Sequence, residues 1–164
     1  MLGMRIGMGY DVHRLTDGRP LVLAGVTVPF EKGLQGHSDA DVMTHAVCDA
    51  LLGAAALGDL GKHFPDTSAE FKNISSLELL KRCHSLLRAK GYALVNLDVT
   101  LIAEAPKIGP YTSRMKQMLA AALDATPDVI GVKATTTEGL GFTGTGEGMA
   151  AMCVALIQTN GEKA

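Results

Sequence analysis

Apolar positions along the chain change period several times, and each change marks an element. Residues 4–9 form a short apolar stretch that reads as a strand running on into Asp11-Val12-His13. Residues 20–29 read as two short strands hinged near Gly25. Ser38, with Asp41 three residues later, resembles a capping box, and the Ala- and Leu-rich segment that follows to Ala56 predicts a helix with His45 in its second turn. Residues 58–73 show no clear period and read as a long loop, a candidate lid. Ser75-Ser76-Leu77-Glu78 opens a second helix with Leu79, Cys83, Leu86 and Leu87 as its apolar stripe, ended by Gly91.

Residues 92–103 then alternate strictly. Val95, Leu97, Val99 and Leu101 oppose Asn96, Asp98 and Thr100, the pattern of a half-buried strand. A turn at Pro106 leads into a helix carrying Tyr111, Met115, Met118, Leu119 and Ala122, whose Met stripe is read as core packing. Residues 129–135 and 149–158 predict two more strands; periodicity alone allows a buried helix for the latter, but Val and Ile after a Gly-rich turn favour a strand. This order predicts an α+β, ferredoxin-like two-layer sandwich, a mixed sheet with helices on one face. A chain of 164 residues without repeat or linker fits one domain over residues 1–164, large enough to bury about 70% of its unfolded surface.

Composition narrows the function classes. Aromatics make up 4% with no Trp, and the net charge is −2, so neither a base-stacking platform nor an electrostatic nucleic-acid surface is expected. No apolar run approaches the roughly 18 residues of a membrane span, and the first residues lack a signal-peptide core, so a cytoplasmic location is expected. Cys48, Cys83 and Cys153 are widely spaced and odd in number, which fits buried thiols in a reducing compartment.

The chemistry concentrates in three segments. In an extended strand, side chains two apart share a face, so Asp11 and His13 point together. His45, with His37 as a further candidate, completes three ligands and leaves a fourth position open, as a catalytic metal requires. Mixed nitrogen and oxygen donors suit zinc, and manganese or iron as well. Asp49, one turn beyond His45, is a candidate partner for its imidazole; His63 and His84 read as incidental. Next, Thr135, Thr136 and Thr137 leave a strand just before Glu138 and a run containing Gly139, Gly141, Gly144, Gly146 and Gly148. Such a segment either cradles phosphate, with Glu138 on a hard cation, or is a bare Gly-rich hairpin; it matches no Walker motif. Finally, the Pro turn at Ala103-Glu104-Ala105-Pro106-Lys107 could meet a base edge and a phosphate.

Several motifs together resemble the 2-C-methyl-D-erythritol 2,4-cyclodiphosphate synthase family. They are Gly9-Tyr10-Asp11-Val12-His13, Gly36-His37-Ser38-Asp39-Ala40-Asp41-Val42, and Asp49-Ala50-Leu51-Leu52-Gly53-Ala54. Further along come Gly58-Asp59-Leu60-Gly61-Lys62-His63-Phe64-Pro65-Asp66-Thr67, Ala105-Pro106-Lys107, Lys133 through Glu138, and Gly141-Phe142-Thr143-Gly144. The resemblance implies a stand-alone cyclase assembled as a homotrimer with active sites between subunits. It implies zinc on Asp11, His13 and His45, and magnesium or manganese on Glu138 with the substrate phosphates. His37 and Thr136 would stabilise the transition state. Ser38, Asp59, Gly61 and Asp66 would face the erythritol phosphate, and Asp11, His13, His37 and Phe64 would also bind substrate. Ala103, Ala105, Pro106, Lys107, Thr135 and Thr136 would face the cytidine diphosphate, with Glu138 and Phe142 also touching substrate. Thr145 stands where many members carry Arg, which puts isoprenoid-diphosphate binding near the trimer axis in question; Met8 stands where many carry His, near but outside the metal set. Two rivals share the scaffold: a non-catalytic cytidine-nucleotide binder and a metal-dependent phosphohydrolase.

Overall fold

The computed structural model describes residues 3–65, 67–71 and 73–160. In chain order the elements are β1 (Met4–Thr16), β2 (Leu21–Leu23), β3 (Val26–Val28), β4 (Gly33–Leu34), α1 (Val42–Ala54), α2 (Leu60–His63) and α3 (Ser76–Ala89). They continue with β5 (Tyr92–Ile102), α4 (Thr112–Ala122), β6 (Ile130–Thr135), α5 (Gly141–Gly144) and β7 (Gly148–Thr159). Five strands form one sheet in the order β4-β1-β7-β5-β6, and β2 and β3 form a separate hairpin. All pairings in the large sheet are antiparallel except β5 with β6, whose connection passes through α4. The predicted α+β architecture with a mixed sheet is therefore what the chain adopts.

One sheet face is the core. Leu97, Val99 and Leu101 of β5 are in register with Ala155, Cys153 and Ala151 of β7, and all six are buried beneath the helices. The predicted alternation of β5 fails at its start. A bulge between Leu94 and Asn96 shifts the parity, so Leu94 rather than Val95 packs on the core. Both later helices bury most of the expected stripes: Leu79, Cys83 and Leu87 in α3, with Leu86 partly buried, and Met115, Leu119 and Ala122 in α4, while Tyr111 lies in the turn before it and Met118 is not fully buried. Helix α1 is buried nearly all round. Its N-cap is Asp41, not Ser38; the Asp41 carboxylate accepts from Thr44 N (3.1 Å), Thr44 Oγ1 (2.7 Å), Ala24 N (2.8 Å) and Gly25 N (2.7 Å). One carboxylate thus closes the helix and ties the β2–β3 turn to it. Full burial pushes this carboxyl above its ordinary value, against the pull of Thr44.

The contact of β1 with α1 sets the site. A Cβ on Gly7 would lie 2.1 Å from the Ala50 carbonyl oxygen, and one on Gly9 would lie 2.0 Å from that of Ala46. Only glycine lets these backbones come so close. The odd-numbered side of β1 therefore faces α1 with Gly7, Gly9, Asp11 and His13. Arg5, on the same side, donates to the Ala54 carbonyl at the C-terminus of α1 (2.5 Å). Met4, Ile6, Met8, Tyr10 and Val12 consequently stand on the other face, beside Met152 and Val154 of β7. All seven are exposed, Ile6 by 70%.

The described residues between 58 and 73 hold more order than predicted. Asp59 caps the short α2 by accepting from Lys62 N (2.9 Å), and a single 3-10 turn spans Ala69–Phe71. Phe64 meets Phe71 edge-on with ring centroids 5.4 Å apart, and the Arg82 guanidinium covers Phe71. The three cysteines are free and buried, as expected. Among the described residues no helix is long and apolar enough to cross a membrane.

Candidate metal centre and its neighbouring clefts

Strand β1 delivers Asp11 and His13 to the helix side, and the first turn of α1 delivers His45 opposite them. Asp11 Oδ2 lies 3.0 Å from His13 Nε2 and 3.1 Å from His45 Nδ1, and the two nitrogens are 3.1 Å apart. Bonds of 2.0–2.1 Å to a tetrahedral ion imply donor separations of about 3.3 Å, so the three atoms are spaced as ligands. Among the described residues this is the one cluster of acidic, His or Cys groups able to hold a metal ion.

The tautomers agree with that use. His13 Nδ1–H donates to the Gln35 carbonyl oxygen (2.8 Å), which leaves Nε2 as the free donor atom. Gly36 makes room for this ring: a Cβ there would lie 3.2 Å from His13 Cε1 and 2.8 Å from the Ala40 methyl. Burial alone would raise the Asp11 carboxyl, but hydrogen bonds and charge from His13 and His45 outweigh it and hold Asp11 well below the carboxylate range. For His13, burial lowers the imidazole, yet the Asp11 hydrogen bond and charge prevail and raise it above 6.5.

Asp49 is not the partner of His45. Its carboxylate accepts from Leu60 N at 2.7 Å and so anchors α2. Burial, then the charges of Asp11 and Asp59, push Asp49 above its ordinary value. His45 Nε2 instead faces Ser76 Oγ (2.9 Å) and Ser38 Oγ (3.2 Å). Two further groups escaped the sequence reading. Arg19 clamps the site loop by donating to the carbonyls of Gly36 and Ser38, both at 2.6 Å. Asp39 holds Ser76. Each partner is remote in sequence, and only the capping-box look of residues 38–41 hinted at dense polar contacts there.

Beside the triad lies a cleft of about 420 Å³ lined by His13, His37, Ser38, His45, Gly61, Phe64 and apolar neighbours. Asp59 is occupied as the α2 cap, and Asp66 lies outside the described residues. A second cleft of about 410 Å³ is lined by Ala103, Pro106, Lys107, Thr135, Thr136 and the start of α4. Ala105 borders a different recess, with Ala103, Thr143 and Thr145. Thr136 Oγ1 donates to Glu138 Oε1 (3.0 Å), and Glu104 accepts from Thr137 N (2.9 Å), which fixes the loop after β6. Phe142 is partly exposed on α5. The single hydroxyl hydrogen of Thr145 is spent locally, with Glu147 Oε1 (2.9 Å) and Gly141 O (3.1 Å) as its acceptors in reach.

The two clefts share no lining residue. In sheet order β1 and β6 are three strand spacings apart, about 14 Å. Glu138 is accordingly not in the triad of its own chain.

The sequence profile of the YgbB family matches residues 4–158. The chain belongs to the YgbB family. Among similar curated proteins, the 2-C-methyl-D-erythritol 2,4-cyclodiphosphate synthase of Desulfatibacillum aliphaticivorans is 63% identical over 94% of this chain and 100% of its own length. That of Pelotomaculum thermopropionicum is 56% identical over 98% of this chain and 99% of its own. Among solved structures, the bifunctional IspDF of Campylobacter jejuni superposes with a TM-score of 0.94 at 43% identity, over 97% of this chain and 43% of that one. A 2C-methyl-D-erythritol-2,4-cyclodiphosphate synthase in a CDP-bound form gives 0.85 at 37% identity, over 93% of this chain and 99% of that one. This YgbB family member thus matches full-length cyclodiphosphate synthases end to end.

Proposed function

We propose that this chain converts 4-diphosphocytidyl-2-C-methyl-D-erythritol 2-phosphate into 2-C-methyl-D-erythritol 2,4-cyclodiphosphate and CMP, a phosphorus–oxygen lyase step of non-mevalonate isoprenoid biosynthesis. The observation that carries the reading is the Asp11–His13–His45 triad, open on one side toward a cleft lined by His37 and Ser38. A 2-phosphate oxygen attacks the β-phosphorus, the bond from that phosphorus to the oxygen bridging the two phosphates breaks, and CMP leaves with that oxygen. The attacking oxygen is already anionic, so no strong general base is needed. In-line positioning and charge neutralisation carry such a transfer.

The triad fits zinc by donor type and spacing, and Glu138 offers a hard oxygen donor suited to magnesium or manganese. When bound, these dications neutralise phosphate charge and polarise the phosphorus under attack. The chain's own groups do the rest. His37 and Thr136 hydrogen-bond the transferring phosphoryl group. Ser38, Gly61 and Phe64, with Asp59 and Asp66, receive the erythritol phosphate. Ala103, Ala105, Pro106, Lys107 and Thr135 hold the cytidine diphosphate, and Phe142 closes on substrate. The apolar walls of the first cleft, Phe64, Phe71, Ile74 and Leu79, exclude water, a competing nucleophile.

The reading includes a homotrimer with sites between subunits, in the cytoplasm. Two features support the assembly. Seven large apolar side chains stand on the uncovered sheet face, more than a monomer leaves to water. The two clefts of one chain also share no lining residue, which fits the triad of one copy working with the Thr136 loop of the next. Three free buried thiols suit a reducing compartment.

The test is incubation of purified protein with the diphosphocytidyl substrate, with and without chelator, followed by phosphorus NMR. A cyclic diphosphate, lost on chelation, supports the reading. A linear bisphosphate with CMP means a phosphohydrolase, and binding without turnover means a nucleotide-binding protein. Native mass spectrometry checks the trimer.

A further inference from the structure

The metal-facing atom of His45 is chosen by a polar chain that arrives from another part of the fold. Ser76, the first residue of α3, is fully buried, and its hydroxyl meets His45 Nε2 at 2.9 Å. The same hydroxyl donates to Asp39 Oδ1, while Asp39 Oδ2 accepts from Ser76 N at 3.0 Å. Asp39 thereby caps α3 from 37 residues away, a task its own N-cap Ser75 leaves undone. Its backbone N–H is tied as well, to the Ile74 carbonyl (3.2 Å).

The proton count fixes one atom of the ring. A carboxylate only accepts, and a hydroxyl carries one hydrogen. Ser76 spends that hydrogen on Asp39, so its oxygen can only accept from His45. His45 Nε2 must therefore carry a proton, which leaves Nδ1, the atom facing Asp11 and His13, to give its lone pair to a bound metal. The nearby Ser38 hydroxyl does not compete. Its oxygen accepts from Ala40 N (3.1 Å), and its hydrogen stays available to the cleft.

The geometry points to Asp39 and Ser76 as a positioning pair that sets the tautomer and ring orientation of His45 and so tunes zinc affinity. This inference rests on the metal reading of the triad and adds to it two residues that touch neither metal nor substrate. Partners that orient a metal-binding imidazole are worth about ten- to a hundredfold in metal affinity. Ser76→Ala removes the acceptor and leaves only the longer contact to Ser38. Asp39→Asn presents an amide that can itself donate to Ser76, which frees the serine hydrogen for Nε2 and favours the tautomer with Nδ1 protonated, blocking the metal.

The test is zinc competition between a chromophoric chelator and the full-length apo protein. Both variants are expected to bind zinc at least about tenfold more weakly than wild type. Excess zinc is expected to restore their cyclase activity, which it would not do for a general packing defect. Zinc-loaded wild type is expected to show a downfield, slowly exchanging His45 Nε2–H proton, lost in Ser76→Ala. Should Ser76→Ala not fold, Asp39→Asn and the wild-type proton spectrum decide. Variant affinities within about threefold of wild type, or a deficit that excess zinc does not repair, overturn the pair's role. If wild type itself takes no zinc, the metal reading fails first and this inference with it.

Discussion

Replacing Gly9 with alanine tests whether backbone proximity between β1 and α1 builds the metal centre. The new methyl would start 2.0 Å from the Ala46 carbonyl oxygen and 2.7 Å from Ala50 N, both backbone atoms that no side-chain rotation can clear. Ordinary contact begins near 3.4 Å, so the helix has to retreat by about 1.4 Å at Ala46. His45 precedes Ala46 and moves with it. The two separations that involve His45, both 3.1 Å, would then open toward about 4.5 Å, far past the tolerance of about 0.2 Å on metal–ligand distances. Zinc affinity is expected to fall by about a hundredfold or more. Overpacking should also lower stability by about 1–3 kcal/mol, measured by urea unfolding, and zinc should no longer raise the urea midpoint. Gly53→Ala is the control on the same helix. Its Cβ would meet only the Met8 carbonyl oxygen, at 3.9 Å, and the change should be neutral or stabilise by up to about 1 kcal/mol. A folded Gly9→Ala protein with zinc affinity within about threefold of wild type would refute the reasoning.

Other perturbations have equally definite outcomes. His45→Ala removes a ligand and should abolish cyclisation in a phosphorus NMR assay while native mass spectrometry still shows the trimer; wild-type turnover would sink the assignment. Asp41→Ala loses the α1 cap and strands the buried donors Ala24 N, Gly25 N and Thr44 N, so urea unfolding should register a loss of about 3–5 kcal/mol. Because His13 is raised above 6.5 in the fold, its pairing with Asp11 stabilises the metal-free protein fully below 6.5 and is lost as pH rises through the raised value. Asp11, depressed in the fold, contributes above 3.8 and is lost as pH falls below it. Zinc must displace the His13 proton, so its affinity should climb as pH rises above 6.5 through the raised His13 value and then flatten; a flat profile from 6.5 upward would contradict the pairing. Finally, if residues 58–73 act as a lid over the first cleft, substrate should slow amide exchange in that segment; exchange indifferent to substrate would end the idea.

Much of the fold was legible because strands and helices print their periods locally. The strands 92–103, 129–135 and 149–158 and both amphipathic helices emerged near their predicted places, since each buries one stripe. The bulge in β5 was not legible: Val95 fits the alternation on paper, and only the pairing with β7 moves the core position to Leu94. Asp49 looked like the His45 partner by helical spacing alone. In space, the amide of Leu60 claims it, and Ser76, 31 residues beyond His45, takes its place.

Strand β1 divides most clearly what the chain states from what the fold decides. Period two by itself put Asp11 and His13 on one side, and the residue types named a nitrogen-and-oxygen ligand set that needed one more imidazole. Periodicity cannot say which side of a strand is inside. That was decided by α1, whose backbone comes too near β1 for any side chain larger than the hydrogens of Gly7 and Gly9. The apolar residues Met4, Ile6 and Met8 were thereby turned outward, although hydrophobicity alone would have buried them. The donor atoms are a property of the sequence. Their convergence within 3.1 Å, and the uncovered apolar face behind them, exist only because a helix and a strand distant along the chain are pressed backbone to backbone.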